Sequence, residues 1–196
     1  TNQVASTFDK ICELLIELDY LNGKDPELAV TDSGRMLARI YGERDLLVSE
    51  AIRLGTWDKL DAAGLAAMAA ALVYEPRRDD EGFEPRVPKG NFQSVIEKTQ
   101  ELWEELEFLS KKHKLPRSSK IELDLCYPIY RWATGSKLDL VLDSADLLPG
   151  DFIRWCKQII DLLEQISRAG TGPLSANAKD AIDKVRRGIV AYSYYA

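Results

Sequence analysis

DLLPGDFIRWCKQIIDLLEQISRA, residues 146–169, is the stretch that decides the fold. Its apolar residues Phe152, Ile153, Trp155, Cys156, Ile159, Ile160, Leu162, Leu163 and Ile166 recur at helical spacing. Asp151, Arg154, Gln158, Asp161, Gln165 and Arg168 form a polar stripe on the other face. Pro149 suits a first helical turn, and Asp151 lies near the positive end of the helix dipole. Such a stripe alone is an ordinary solvated face, held by i,i+4 pairs such as Asp161 with Gln165.

Helical patterns extend outward in both directions. Phe8 to Tyr20 carries Phe8, Ile11, Leu14, Leu15 and Leu18, with Ser6 or Thr7 as cap. Tyr20-Leu21 and Leu28 to Thr31 flank an Asn-Gly-Lys-Asp-Pro turn and predict a small β-hairpin. Asp32 or Ser33 caps a helix to Tyr41, which Gly42 stops, and Glu43 to Leu54 forms the next, ending at Gly55. Asp61 caps an alanine-rich helix whose small side chains permit close approach. PRRDDEGFEPRVPKG, residues 76–90, combines three prolines, two glycines and eight charges and reads as a mobile surface loop, with Asp79-Asp80 a solvated pair. Asn91 caps a long helix to about Lys114, and Leu115 to Lys120 connects it onward. Ile121 to Ala133 reads as a helix kinked at Pro128, and Ser136 caps a short helix to Leu142. Ser175 caps a final helix running into Val190. The expected fold class is all-α, a helical bundle with a short hairpin at its N-terminal end.

Composition sets the functional bounds. The 196 residues are 45% hydrophobic and 30% charged, enough for one good core or two small ones. A formal charge of −6 argues against bulk electrostatic binding of nucleic acid, so any such contact is local. Cys12, Cys126 and Cys156 are far apart and show no zinc or disulfide spacing, which fits reduced core thiols. No run approaches membrane-spanning length, and a cytoplasmic location without membrane contact is expected. The chain opens on Thr1 without a methionine, as an excised piece of something longer would. Phosphate-loop, nucleophile-elbow and zinc-protease motifs are missing, so no independent hydrolase and no metal site are expected.

Several single residues have bland readings. His113 lies among Lys111, Lys112 and Lys114, as a solvated helix end does. Arg186 and Arg187 suit ion pairs with Asp180, Asp183 or a carboxylate of another helix. Trp57, Trp103, Trp132 and Trp155 suit core or interdomain packing.

Six ordered motifs add a resemblance. Trp132-Ala133-x-Gly135, the D-x-x-P-G-D-F-I-R run from Asp146, and R-R-G-I-V-A from Arg186 resemble the C-terminal helical (DSHCT) domain of superfamily-two RNA helicases of the exosome-associated and HelY type. The same helicases carry T-x-x-G-R-x-A, L-L-x-x-E-x-[ILM]-x-x-G and L-x-[AP]-x-x-L-A-A, matched here by Thr31, Gly34, Arg35, Leu46, Leu47, Glu50, Gly55, Leu60, Leu65 and Ala66, with Ala38 one place beyond the alanine of the first pattern.

The resemblance implies that residues 1–41 are the C-terminal part of a winged-helix domain and 42–196 the DSHCT bundle. Its ratchet helix would be about 149–169, and the loop 76–90 would interrupt the bundle. It implies a parent with two RecA-like domains that bind ATP and Mg, and no cofactor in this piece. The strand-facing positions it implies are Arg154, Gln158 and Asp161, with Glu75 at the end of the alanine-rich helix. Relatives commonly carry Arg where this chain has Gln158 and Glu where it has Asp161. Gln158 keeps hydrogen bonding and gives up the charge. The expected function is a non-catalytic domain that contacts and guides single-stranded RNA, or DNA, during unwinding and RNA processing or decay. Its expected partners are the RecA-like domains and an RNA-degradation machinery. The alternative is a helical protein-interaction or regulatory module that never meets nucleic acid.

Overall fold

The computed structural model describes residues 2–24, 26–76 and 84–195, which form ten helices and one two-stranded hairpin. The all-α expectation holds, with the hairpin as its only sheet among the described residues. Of the segment read as a mobile loop, residues 77–83 lie outside the described residues, Asp79 and Asp80 among them, as does Asp25 of the hairpin turn. Residues 84–90 run against the bundle, with Pro88 buried and the Arg86 guanidinium over the Tyr127 ring.

The N-terminal unit is helix, hairpin, helix. α1 (Asn2–Glu17) starts well before Phe8, so Ser6 and Thr7 lie inside it rather than capping it. It stops earlier too, because Asp19 adopts a left-handed conformation and Tyr20 N–H closes back on the Leu15 carbonyl. β1 (Leu21–Asn22) pairs antiparallel with β2 (Ala29–Val30). Thr31, not Asp32 or Ser33, caps α2 (Asp32–Leu37): its Oγ accepts from Gly34 N–H and donates to the Asp19 carbonyl. A Cβ on Gly34 would lie 2.2 Å from the Tyr20 carbonyl oxygen, so only glycine fits there. Helix α2 ends at Leu37 rather than Tyr41, since Ile40 turns into the core and Tyr41 is drawn toward a distant helix.

The core is organised around α4 (Ala62–Val73). Eleven of its twelve residues are buried, as expected of a helix apolar all round. Asp61 caps it as read, accepting from Gly64 N–H at 2.7 Å. Its alanines let α6 (Cys126–Ala133), α8 (Pro149–Ala169) and α9 (Gly172–Val185) approach closely. α3 (Asp45–Leu54) packs against α2, α8 and α5 (Phe92–Lys112), and α7 (Leu138–Ala145) against α6. Burying Phe152, Ile159, Ile160, Leu163 and Ile166 of α8 contributes about 1.5–3 kcal/mol each.

Four further expectations need correction. Asn91 holds the N-cap position of α5 as read, but its side chain makes no capping hydrogen bond and its amide donates to the Lys59 carbonyl. Residues 121–125 are not helical, so Pro128 falls in the first turn of α6, where its missing N–H has no helical acceptor to lose and no kink results. Ser136 does not cap α7, which begins at Leu138 after a Gly135 turn. Ser175 does not cap α9 either: it lies within the first turn and donates to the Ser167 carbonyl at 2.6 Å. That helix ends at Val185, and a separate α10 (Gly188–Tyr192) follows a break at Arg186-Arg187.

Candidate nucleic-acid interface

Helix α8 presents its polar stripe to a cleft of about 440 Å³. Arg154, Gln158 and Asp161 line one wall, and Glu75, just past the end of α4, lines the other. The four residues singled out in the sequence therefore share one concave surface. Beside Glu75 stand Tyr74 and the segment Tyr41 to Asp45.

The stripe is not uniformly solvated. Arg154 donates to Asp151 at 3.2 Å, and its guanidinium lies over the Trp155 ring, 5.2 Å from the centroid. Trp155 is itself buried and meets Tyr74 edge to face at 5.1 Å. Arg154 is thus oriented before anything binds. Gln158 is exposed, and Asp161 accepts from Gln165 Nε2 at 3.2 Å. That Asp161–Gln165 pair was legible in the spacing. Gln165 departs from the solvated reading: it is 3% exposed, and its Oε1 accepts from the Tyr41 backbone N–H at 2.9 Å. Arg168 pairs with Glu164 at 3.6 Å and reaches the Tyr41 hydroxyl at 3.5 Å.

Arg44, Tyr41 and Tyr74 carry no signal in sequence periodicity, yet they build the opposite wall. Arg44 Nε donates to the Leu72 carbonyl at the end of α4, and Nη2 donates to the Lys120 carbonyl. Its Nη1 has no hydrogen-bond partner among the described residues. Burial holds the Arg44 guanidinium below its ordinary range, partly offset by Glu43, Glu122, Glu75 and Glu107. Burial likewise pushes the Asp45 carboxyl up. Among the lining side chains Glu43, Asp45, Glu75 and Asp161 outnumber Arg44 and Arg154, four acids to two bases. This surface offers acceptors and a few donors; it is not a phosphate cradle.

The remaining single residues mostly have structural roles. Trp57 donates to Thr99 at 3.1 Å within the core, and Trp132 donates to the Val185 carbonyl at 2.8 Å. Trp103 is half-buried and donates to Ser118. Arg186 pairs with Glu164 of α8 at 3.1 Å, a carboxylate of another helix as anticipated. Arg187 makes no such pair among the described residues; it donates to the Trp132 and Ser136 carbonyls and stacks on the Trp132 ring at 3.5 Å. His113 is not a solvated end, since its ring contacts Glu17 and is only 13% exposed. With Lys112, first, and then His113 as partners, Glu17 is held below its ordinary value. Cys126 and Cys156 are buried, which pushes both thiols up, and the three cysteines are free. Among the described residues no cluster suited to a metal ion occurs, and no helix is long and apolar enough to cross a membrane.

Comparison with known proteins agrees with this architecture. The family described as DSHCT (NUC185) domain matches residues 27–193. The chain is 42% identical over 202 residues to the "Probable helicase HelY" of Mycobacterium leprae, an alignment covering 97% of this chain and 22% of that protein. It is 25% identical to the "DExH-box ATP-dependent RNA helicase DExH10" of Arabidopsis thaliana, over 88% of this chain and 18% of the relative. It is 23% identical to the "ATP-dependent RNA helicase mtr4" of Schizosaccharomyces pombe, over 90% and 17% respectively. The chain thus spans about a fifth of the length of the relatives it matches.

Proposed function

The chain belongs to the DSHCT (NUC185) domain family, and we propose that it is the non-catalytic C-terminal domain of an ATP-dependent RNA helicase. In this reading α8 is the ratchet helix, and its cleft contacts and guides single-stranded RNA while RecA-like domains elsewhere in the parent bind ATP and Mg. Residues 1–41 are the end of a winged-helix domain, and 42–196 are the accessory bundle. RNA processing or decay is the process served, in a cytoplasmic setting.

One observation carries the reading: Arg154, Gln158 and Asp161 of α8 converge with Glu75 on a single cleft. The chemistry suits a moving strand. An acid-rich wall repels phosphate, while its carboxylates and the Gln158 amide accept or donate hydrogen bonds to base edges and ribose hydroxyls. Phosphate contacts then fall outside the cleft, chiefly to the RecA-like domains, which reconciles single-strand binding with a charge of −6. Contacts of this kind are weak one by one, as repeated release requires. Arg154→Ala with Asp161→Ala, placed in the full helicase, is expected to lower duplex unwinding more than RNA-stimulated ATP hydrolysis. Unwinding at the unsubstituted rate would refute the strand contact.

A further inference from the structure

We infer that a second single-strand contact, separate from the cleft, is built by the C-terminal tyrosines and the cations around them. The inference rests on the same single-strand reading but on different residues. Helical periodicity places Trp155 and Leu162, which line the cleft, along one flank of the Arg154–Asp161 stripe, and Lys157 and Glu164 along the other. On that second flank the turn after α10 lays Tyr194 against α8. Lys157 Nζ lies 4.9 Å from the Tyr194 ring centroid and the Arg186 guanidinium 4.8 Å from it. Lys157 also donates to the Ser193 carbonyl at 3.3 Å, and Arg186 to Glu164 at 3.1 Å, so both cations are held in place. Tyr194 keeps 43% of its surface exposed, and its neighbour Tyr192 keeps 78%.

An exposed ring held beside an ammonium and a guanidinium group, with a second exposed ring two residues away, is what a single strand requires. Bases stack on the aromatic faces and phosphates meet the cations. The cluster stands out because the chain as a whole is acidic. Lys157 uses one of its three N–H groups on Ser193, which leaves others for a phosphate oxygen. Its place beside the stripe lets one strand cross α8 from the cleft to the tyrosines. The cleft would read base edges and sugar hydroxyls, and this flank would supply the stacking and positive charge that the cleft lacks.

Fluorescence anisotropy of the 196-residue chain with a labelled oligouridylate at low salt tests this. Tyr192→Ala plus Tyr194→Ala should weaken binding about tenfold. Phenylalanine at both positions should restore it, because the stacking face is kept. Lys157→Ala should reduce the dependence of log affinity on log salt by about 0.7. Tyr192 is largely solvent-facing, but Tyr194 is more than half covered by α8 and its cations, so the phenylalanine variant should melt with the unsubstituted chain and every variant is compared well below its own melting temperature. If the double alanine variant binds as tightly as the parent sequence, the tyrosine contact is overturned; the cleft reading survives where Arg154→Ala still weakens binding. The converse pattern, loss with the tyrosine variants but not with Arg154→Ala, sinks the cleft reading and leaves this one. Failure to bind oligouridylate together with self-association that Tyr192→Ala abolishes would make the surface a contact between copies and overturn the inference.

Discussion

Replacing Gln165 tests whether α8 is a freestanding ratchet or part of the bundle's frame. Its side chain is 3% exposed and joins two segments 124 residues apart, through Oε1 to the Tyr41 N–H at 2.9 Å. Gln165→Met keeps the length and nearly the volume but removes the acceptor. The Tyr41 N–H then loses its partner, a defect that costs about 1–3 kcal/mol. Tyr41 is itself solvent-exposed, so water relieves part of the loss, and about 1–2 kcal/mol is expected. For a chain of this length that lowers the melting temperature by roughly 2–4 °C per kcal/mol. Urea unfolding should show a lower midpoint with an unchanged slope. Gln165→Glu separates the acceptor from the charge. It can still accept from Tyr41, but it sets a second carboxylate where Nε2 now meets Asp161 at 3.2 Å. Like charge raises a folded-state carboxyl pKa above its unfolded value. The penalty is therefore full at neutral pH and disappears as pH falls below the unfolded carboxyl range. A Gln165→Met variant as stable as the parent sequence, or a Gln165→Glu variant without recovery in mild acid, would refute the frame role.

Two further substitutions probe the ends of the chain. Gly34→Ala forces a Cβ to within 2.2 Å of the Tyr20 carbonyl oxygen and should cost about 3 kcal/mol by thermal unfolding, well beyond what a helical alanine gains. Arg187→Lys keeps the charge but loses the fork that bonds the Trp132 and Ser136 carbonyls and the stacking on Trp132. It should lower the urea midpoint by an amount equivalent to about 1–2 kcal/mol, with Trp132 fluorescence shifted in the folded state.

How far these features could be read from residue order depends on the range of the force that sets them. The α8 helix was legible end to end, because its apolar period and Pro149 are local signals. Gly55 and Asp61 were legible for the same reason, each acting within one turn. The break before α10 was not, because Arg187 makes it by reaching carbonyls more than fifty residues away. The α1 and α2 boundaries were misplaced because Tyr20 and Tyr41 leave the helical path for tertiary partners. Tyr20 hydrogen-bonds the buried Glu50 carboxylate at 2.5 Å, and burial with that bond raises the phenol above its usual range. Glu50 also pairs with Arg53 at 2.8 Å, so a residue that looked like one motif letter ties the hairpin unit to the bundle. Arg154, Gln158, Asp161 and Glu75 could be named beforehand through family likeness; that they line one cleft needed coordinates.

The geometry also narrows which part of the polar stripe is able to serve a strand. Gln165 and Arg168 are occupied with Tyr41 and Glu164, so moving them disturbs the frame. Arg154 is exposed but already oriented by Asp151 and Trp155, which lowers the ordering cost of a new hydrogen bond. Gln158 is exposed and makes no side-chain hydrogen bond to the described residues, so it is the position most open to a ligand. A ligand on this helix therefore centres on 154 to 161, one to two turns in from the Pro149 end. At that level the cleft opens on one flank and the Lys157–Tyr194 cluster stands on the other. A glutamine between an oriented arginine and an aspartate discriminates little among bases, because its amide can donate or accept. Gln158→Arg should therefore tighten single-strand binding by adding positive charge to an acid-rich cleft, and steepen its salt dependence. Neither change would occur if the strand passes elsewhere.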